Sequence, residues 1–200
     1  MKLQQSKFQG TTIYISPLLH IEELTPLQHA LIIEKIKGVK SSHRQCEIAT
    51  THLMVKSILG DDAKICHNEN GAPYIENSTL YISISHSTSE VAIAINPHHP
   101  IGIDIENWRE QLTKVKSKFL NSNEINTFQS SQKLLQAWTL KEALYKIALS
   151  PGISLVDDIR ILSIEKNIAI VNTLDGEKKF TIHSHFLSDT CCLSIAHPLS

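Results

Sequence analysis

The spacing of apolar positions divides the chain into two rounds of helix followed by strand. The first third reads as helical. Thr25-Pro26 is a capping residue with proline at the first helical position, and Gly38 is a stop after Lys37. A second helix is expected from Ser42 to Leu59, closed by Gly60. The period then falls to two. Leu80-Tyr81-Ile82-Ser83-Ile84-Ser85 alternates as a strand does, Val91 to Ile95 is a second strand stopped by Asn96-Pro97, and Ile101 to Glu106 is a third. Asn70-Gly71 marks a turn ahead of them.

The second half repeats this grammar. Helical sequence is expected from about Gln111 to Phe128 and from Ser131 to Leu149, where Ser150-Pro151-Gly152 breaks it. Strands are expected at Ile159–Ile164, Ile168–Val171, Lys179–His185 and Cys191–Ala196, with a turn at Asp175-Gly176. The order predicts an α+β fold of two similar halves, residues 1–98 and 99–200, packed as a pseudo-dimer with no flexible linker. Tyr81-Ile82-Ser83-Ile84-Ser85-His86 echoes Cys192-Leu193-Ser194-Ile195-Ala196-His197, a hint of internal duplication.

Charge narrows the choice of partner. Lys+Arg 19 against Asp+Glu 20 leaves a formal charge of -1, which argues against nucleic-acid binding through bulk positive charge. Aromatic residues at 6% offer little surface for stacking bases. No apolar run approaches the roughly 20 residues that cross a bilayer, and no apolar signal core follows Met1-Lys2, so the expectation is a cytoplasmic protein. The four cysteines show no CxxC spacing and read as free thiols. His98-His99 and His183-x-His185 lack the partners that would make a metal site.

Candidate chemistry gathers on two segments. Asp104 and Glu106, two apart on a strand, leave the same face, while Ile103 and Ile105 turn to a core. Such a pair either holds a hard cation, with Mg²⁺ the natural choice, or is simply hydrated. Glu142 and Lys146 lie one turn apart, opposite the stripe Ala137, Leu140, Leu144 and Ile147. They suit either a metal beside a phosphate or an ordinary surface ion pair. Asn121-Ser122-Asn123-Glu124 has the form of a capping box. His86, flanked by Ser85 and Ser87, is placed to bond a phosphate or the local backbone.

These pieces occur together in one family. The chain resembles the 4′-phosphopantetheinyl transferases, specifically the larger single-chain, surfactin-synthetase-activating type, through Asn70-Gly71-Ala72-Pro73, Ile82 to Ser87, Ile101 to Glu106, Lys118 through Glu124 and Trp138 through Lys146. The resemblance implies an enzyme that moves the phosphopantetheine arm of coenzyme A to a serine of an apo acyl or peptidyl carrier protein, with Mg²⁺. The other product is adenosine 3′,5′-bisphosphate. By the same resemblance Asp104, Glu106 and Glu142 are the Mg²⁺ ligands and Lys146 holds phosphate. Gly71, Pro73, Ser85, His86 and Arg44 contact coenzyme A. Glu124 is implied to help deprotonate the serine, and Trp138 to pack its helix. The first half would face coenzyme A, and the second the metal and the carrier. A monomer would suffice, with neither nucleic acid nor membrane as partner.

The chain departs from the family at Ala72, which stands for a lysine, at Ser83, which stands for asparagine, and at His52, where an arginine is expected. Lys40 and Arg44 remain as basic residues of that first half. The departures motivate an alternative, a homologue that binds carrier or nucleotide without turnover. A third reading is an unrelated Mg²⁺-dependent nucleotide enzyme. Carrier domains are generally acidic, and Lys114, Lys116 and Lys118 are the candidate docking residues.

Overall fold

Gln9 and Gly10 take positive φ and turn the strand β1 (Gln4–Phe8) back onto β2 (Thr11–Pro17) as an antiparallel hairpin. The helical reading of the first third is therefore corrected at its start. Gln4-Gln5-Ser6-Lys7 is exposed along its length, so it shows none of the alternation that marks a half-buried strand. The helices α1 (Pro26–Ile36) and α2 (Ser42–Leu59) follow. Thr25 and Gln28 close a capping box at the first, and Ser41 accepts the Arg44 N–H at the second.

A computed structural model describes residues 2–199, and the chain divides between Pro97 and His98 into two compact units. In the first, β3 (Ile65–His67) and β4 (Pro73–Ile75) form a small hairpin around the Asn70-Gly71 turn. The Asn68 side chain organises that turn by accepting from the Asn70 and Ala72 N–H groups. Then β5 (Tyr81–His86) and β6 (Glu90–Asn96) complete a four-stranded antiparallel sheet of order β1-β2-β6-β5. Met54 and Val55 of α2 pack on Ile82, Val91, Ile93 and Ile95 to make its core.

In the second unit β7 (Gly102–Asn107) leads to α3 (Gln111–Val115), α4 (Ser122–Thr127) and the long α5 (Ser131–Ala148). The single helical run expected over 111–128 is in fact broken. A 3₁₀ turn occupies Lys116–Lys118, and Asn121 starts a new helix by accepting the Asn123 and Glu124 N–H groups. Asparagine competes with the helical backbone for those bonds and so ends one helix and caps the next. The strands β8 (Ile159–Ser163), β9 (Ile168–Thr173), β10 (Gly176–Ser188) and β11 (Cys191–Pro198) then build a five-stranded antiparallel sheet of order β7-β11-β10-β9-β8. Leu140, Ala143, Leu144 and Ile147 of α5 meet Ile159, Val171, Phe180 and Ile182 in its core. A polar chain pins the helix to the sheet within that apolar contact: Thr139 Oγ1 lies 2.7 Å from Ser194 Oγ, and Ser194 Oγ 2.9 Å from Ser184 Oγ.

The two units share a plan. In each, a strand leads through helices to four further strands, and the last strand pairs back on the one before the helices, β6 on β2 and β11 on β7. The duplication read from Tyr81–His86 and Cys192–His197 is therefore placed one strand off. By position in the sheet β11 corresponds to β6, not to β5, because β5 is the edge of its sheet while β11 is flanked on both sides.

Candidate active site

The second unit carries a cluster of acids and bases on the facing surfaces of β7 and α5. Gly102, Asp104 and Glu106 alternate on one face of β7. At Gly102 that face meets the helix so closely that a methyl group would overlap the Ala143 carbonyl. Asp104 is 7% exposed and is bonded by Lys146 Nζ at 2.8 Å; the same ammonium donates to the Ile103 carbonyl at 2.9 Å. Glu106 accepts its neighbour Asn107 N–H and pairs with Arg109 Nη2 at 3.2 Å. Arg109 in turn lies 5.9 Å from the centre of the Trp138 ring, which meets Phe119 edge-on.

Glu142, from the middle of α5, feels both strand carboxylates. Burial, reinforced by Asp104 and Glu106 and opposed by Lys146 and Arg109, raises its pKa to about 7. Burial also raises that of Glu106, against the pull of Arg109. Three carboxylates against two cations leave one net negative charge, and the strain falls on Glu142. Among the described residues no three His, Cys, Asp or Glu groups stand close enough to hold an ion as they are. The donor set nevertheless fits a hard divalent ion: it is all oxygen, it is half-buried, and its own charge is incompletely balanced.

Glu124 has a different setting. It is 5% exposed, and both oxygens are engaged. Oε1 accepts the Ile161 N–H at 2.9 Å; Oε2 accepts the Asn121 N–H at 3.1 Å and lies 2.7 Å from Lys141 Nζ. The carboxylate reads as a tie between segments rather than as a proton acceptor.

The first unit brings two more of the expected residues together. Arg44 Nη1 donates to Glu47 Oε2 at 2.7 Å and contacts His86 Nε2 at 2.9 Å, while His86 Nδ1 lies 3.0 Å from Glu47 Oε1. Guanidinium has only donors, so Nε2 of His86 accepts and its proton sits on Nδ1, facing the carboxylate. These bonds use Nη1 of Arg44, a side chain about half exposed, and leave its Nε and Nη2 donors for an anion. Ser85 is buried in β5, and Gly71 holds φ +78° at the open tip of the β3–β4 turn, with Pro73 beginning β4. His52 cannot replace an arginine: burial and the nearby Lys35 lower its pKa to about 4, so it is neutral at pH 7.

Sequence reasoning missed Glu47, Arg109 and Lys141. Glu47 and Arg109 carried a legible signal, each standing three residues after an opposite charge, Arg44 or Glu106. Lys141 carried none.

Comparison with known proteins bears on the β7–α5 cluster directly, because residues 100–196 match the family model of the 4′-phosphopantetheinyl transferase superfamily. This stretch, just under half of the chain, is similar to that superfamily. A relative in Aneurinibacillus migulanus, the 4′-phosphopantetheinyl transferase gsp, is 32% identical over 100 residues, a match covering 47% of this chain and 41% of that protein's length. Asp104, Glu106, Glu124, Glu142 and Lys146 all fall within the matched stretch. No helix is long and apolar enough to cross a membrane among the described residues.

Proposed function

We propose that the protein transfers the 4′-phosphopantetheine arm of coenzyme A to a serine of an apo acyl or peptidyl carrier protein. The observation that carries this reading is the convergence of Asp104, Glu106, Glu142 and Lys146 from β7 and α5 inside the segment matched by the transferase family. In the reaction the serine oxygen bonds to the β-phosphorus of coenzyme A and the bridging bond to the α-phosphate breaks. The serine proton passes to solvent, and adenosine 3′,5′-bisphosphate leaves. Asp104, Glu106 and Glu142 would hold Mg²⁺, which supplies charge neutralisation for the pyrophosphate. Lys146 serves the same end as a point charge once it turns from Asp104 to a phosphate oxygen. Arg109 steadies Glu106. Arg44, with His86 fixed beside it, supports binding of a further phosphate of coenzyme A.

The test is incubation of the protein with coenzyme A, Mg²⁺ and a panel of apo carriers from fatty-acid, polyketide and peptide synthesis, each read by intact mass. A gain of one phosphopantetheine, lost with chelator, is expected. Coenzyme A binding without any gain would replace the proposal by the binding homologue that Ala72 and His52 suggest.

The raised pKa of Glu142 gives Mg²⁺ binding a pH dependence whose sign is fixed. The ion takes the ionised carboxylate, so below pH 7 affinity should fall by about tenfold per pH unit, and above pH 8 it should level off. Calorimetry at pH 6.5 in two buffers of different ionisation enthalpy should show about three-quarters of a proton released per ion bound. Equal heats in the two buffers would remove the ligand role of Glu142.

Lys114, Lys116 and Lys118 lie on α3 and the turn after it, Lys114 and Lys118 exposed and Lys116 half-buried. We assign them to docking of an acidic carrier, so KM for the carrier should rise several-fold between 50 and 300 mM salt, roughly as screening of exposed charges requires. A KM indifferent to salt would dismiss them.

A further inference from the structure

The middle of α5 carries a lysine that the reaction does not use. Lys141 is 0% exposed, which is exceptional for a charge on a helix. Its ammonium has three N–H donors, and three acceptors meet them: Glu124 Oε2 at 2.7 Å, the Leu155 carbonyl at 2.8 Å and the Ile159 carbonyl at 2.6 Å. Glu124 is saturated as well, by Ile161 N–H, Asn121 N–H and Lys141. One ion pair thus joins the middle of α5 to the cap of α4, to the irregular segment before β8, and to β8 itself.

Stability alone does not account for such a pair. Desolvating two ions costs several kcal/mol, and apolar residues of similar volume commonly serve a core as well or better. Directional geometry is what the pair adds. Apolar contacts allow a helix to roll in its bed, whereas three bonds from one ammonium resist rotation. Lys141 immediately precedes Glu142 and lies about 100° from it around the helix axis. A roll of about 20° would carry a side-chain tip on a helix of this radius by about 2 Å. Displacements of about 1 Å are already enough to cost about a hundredfold in rate.

We infer that the buried Lys141–Glu124 pair is a positioning device that fixes the rotation of α5 and so aims Glu142 at Asp104 and Glu106. Glu124 thereby acts through Lys141 and not as a base. The inference rests on the transfer reaction proposed above.

Three variants test it: Lys141→Met, Glu124→Gln and the two combined. Each should lose about tenfold or more in kcat/KM and need several-fold more Mg²⁺ for half-maximal rate. The double should lose no more than the worse single, because the two residues act as one unit. A base at Glu124 gives another pattern. Glu124→Gln, alone or in the double, would lose kcat with its Mg²⁺ requirement unchanged, and Lys141→Met would stay near the parent; that pattern overturns the inference. If the single variants do not fold, the double, which buries no unpaired charge, carries the test, and a parent-like Mg²⁺ requirement there overturns it. If the parent itself modifies no carrier, the transfer proposal fails separately. The device is then read by hydrogen exchange of the same variants. Faster exchange across 138–148 and at Ile161 supports it, and unchanged exchange overturns it.

Discussion

Glu142→Gln should abolish carrier modification, lowering kcat/KM by about a thousandfold or more, and should at the same time make the metal-free protein more stable above neutral pH. The loss follows from removing one charged oxygen ligand from a set that must neutralise a pyrophosphate. The gain follows from the sign of the pKa shift. A carboxyl whose pKa is raised to about 7 in the fold contributes fully only while protonated, below about pH 4.5, and that contribution is lost as pH rises through 7. At pH 8 the parent bears an uncompensated buried charge that glutamine lacks, worth about 1–3 kcal/mol. At pH 4.5 the two proteins should melt together. Melting curves in chelator at the two pH values, beside the mass assay at pH 8, check both halves. Parent-level turnover in Glu142→Gln would end the proposed role of this residue.

The second large effect belongs to a residue with no side chain. Gly102→Ala should cost about 3 kcal/mol or more, because the added methyl meets backbone, the Ala143 carbonyl, with Ile147 Cβ also at 3.1 Å. A flexible side chain would step aside, but the carbonyl belongs to the hydrogen-bond ladder of α5. The helix must move as a body. A fall in melting temperature of about 10 °C or more is expected for a unit of this size. Any soluble variant should also need more Mg²⁺, since Asp104 and Glu142 sit on the two surfaces being pushed apart. An unchanged melting temperature would show that the contact relaxes freely.

Much of this arrangement was legible before any coordinates. The helices α1, α2 and α5 declared themselves through Thr25-Pro26, the stop at Gly60 and the break at Ser150-Pro151-Gly152, and β5, β6 and β7 through their alternation. Alternation also placed Asp104 and Glu106 on one face, and helical spacing set Glu142 one turn from Lys146. The rest depended on partners distant in sequence. Lys141 looks like any surface lysine beside a glutamate; only the carbonyls of Leu155 and Ile159, 14 and 18 residues away, make it a buried one. Glu124 was legible as a cap but not as the partner of Lys141, for the same reason. The hairpin at the start of the chain was hidden because its outer strand buries almost nothing.

Lys146 on Asp104 and Arg109 on Glu106 mean that the resting cluster is latched rather than open. A bare ion arriving alone must evict a lysine and strand it beside a competing charge. An ion that arrives together with a diphosphate brings the evicted lysine its next partner. Entry is therefore cooperative: the diphosphate eases the entry of the ion. A free divalent cation should accordingly bind these oxygens measurably but more weakly than one that comes with the nucleotide.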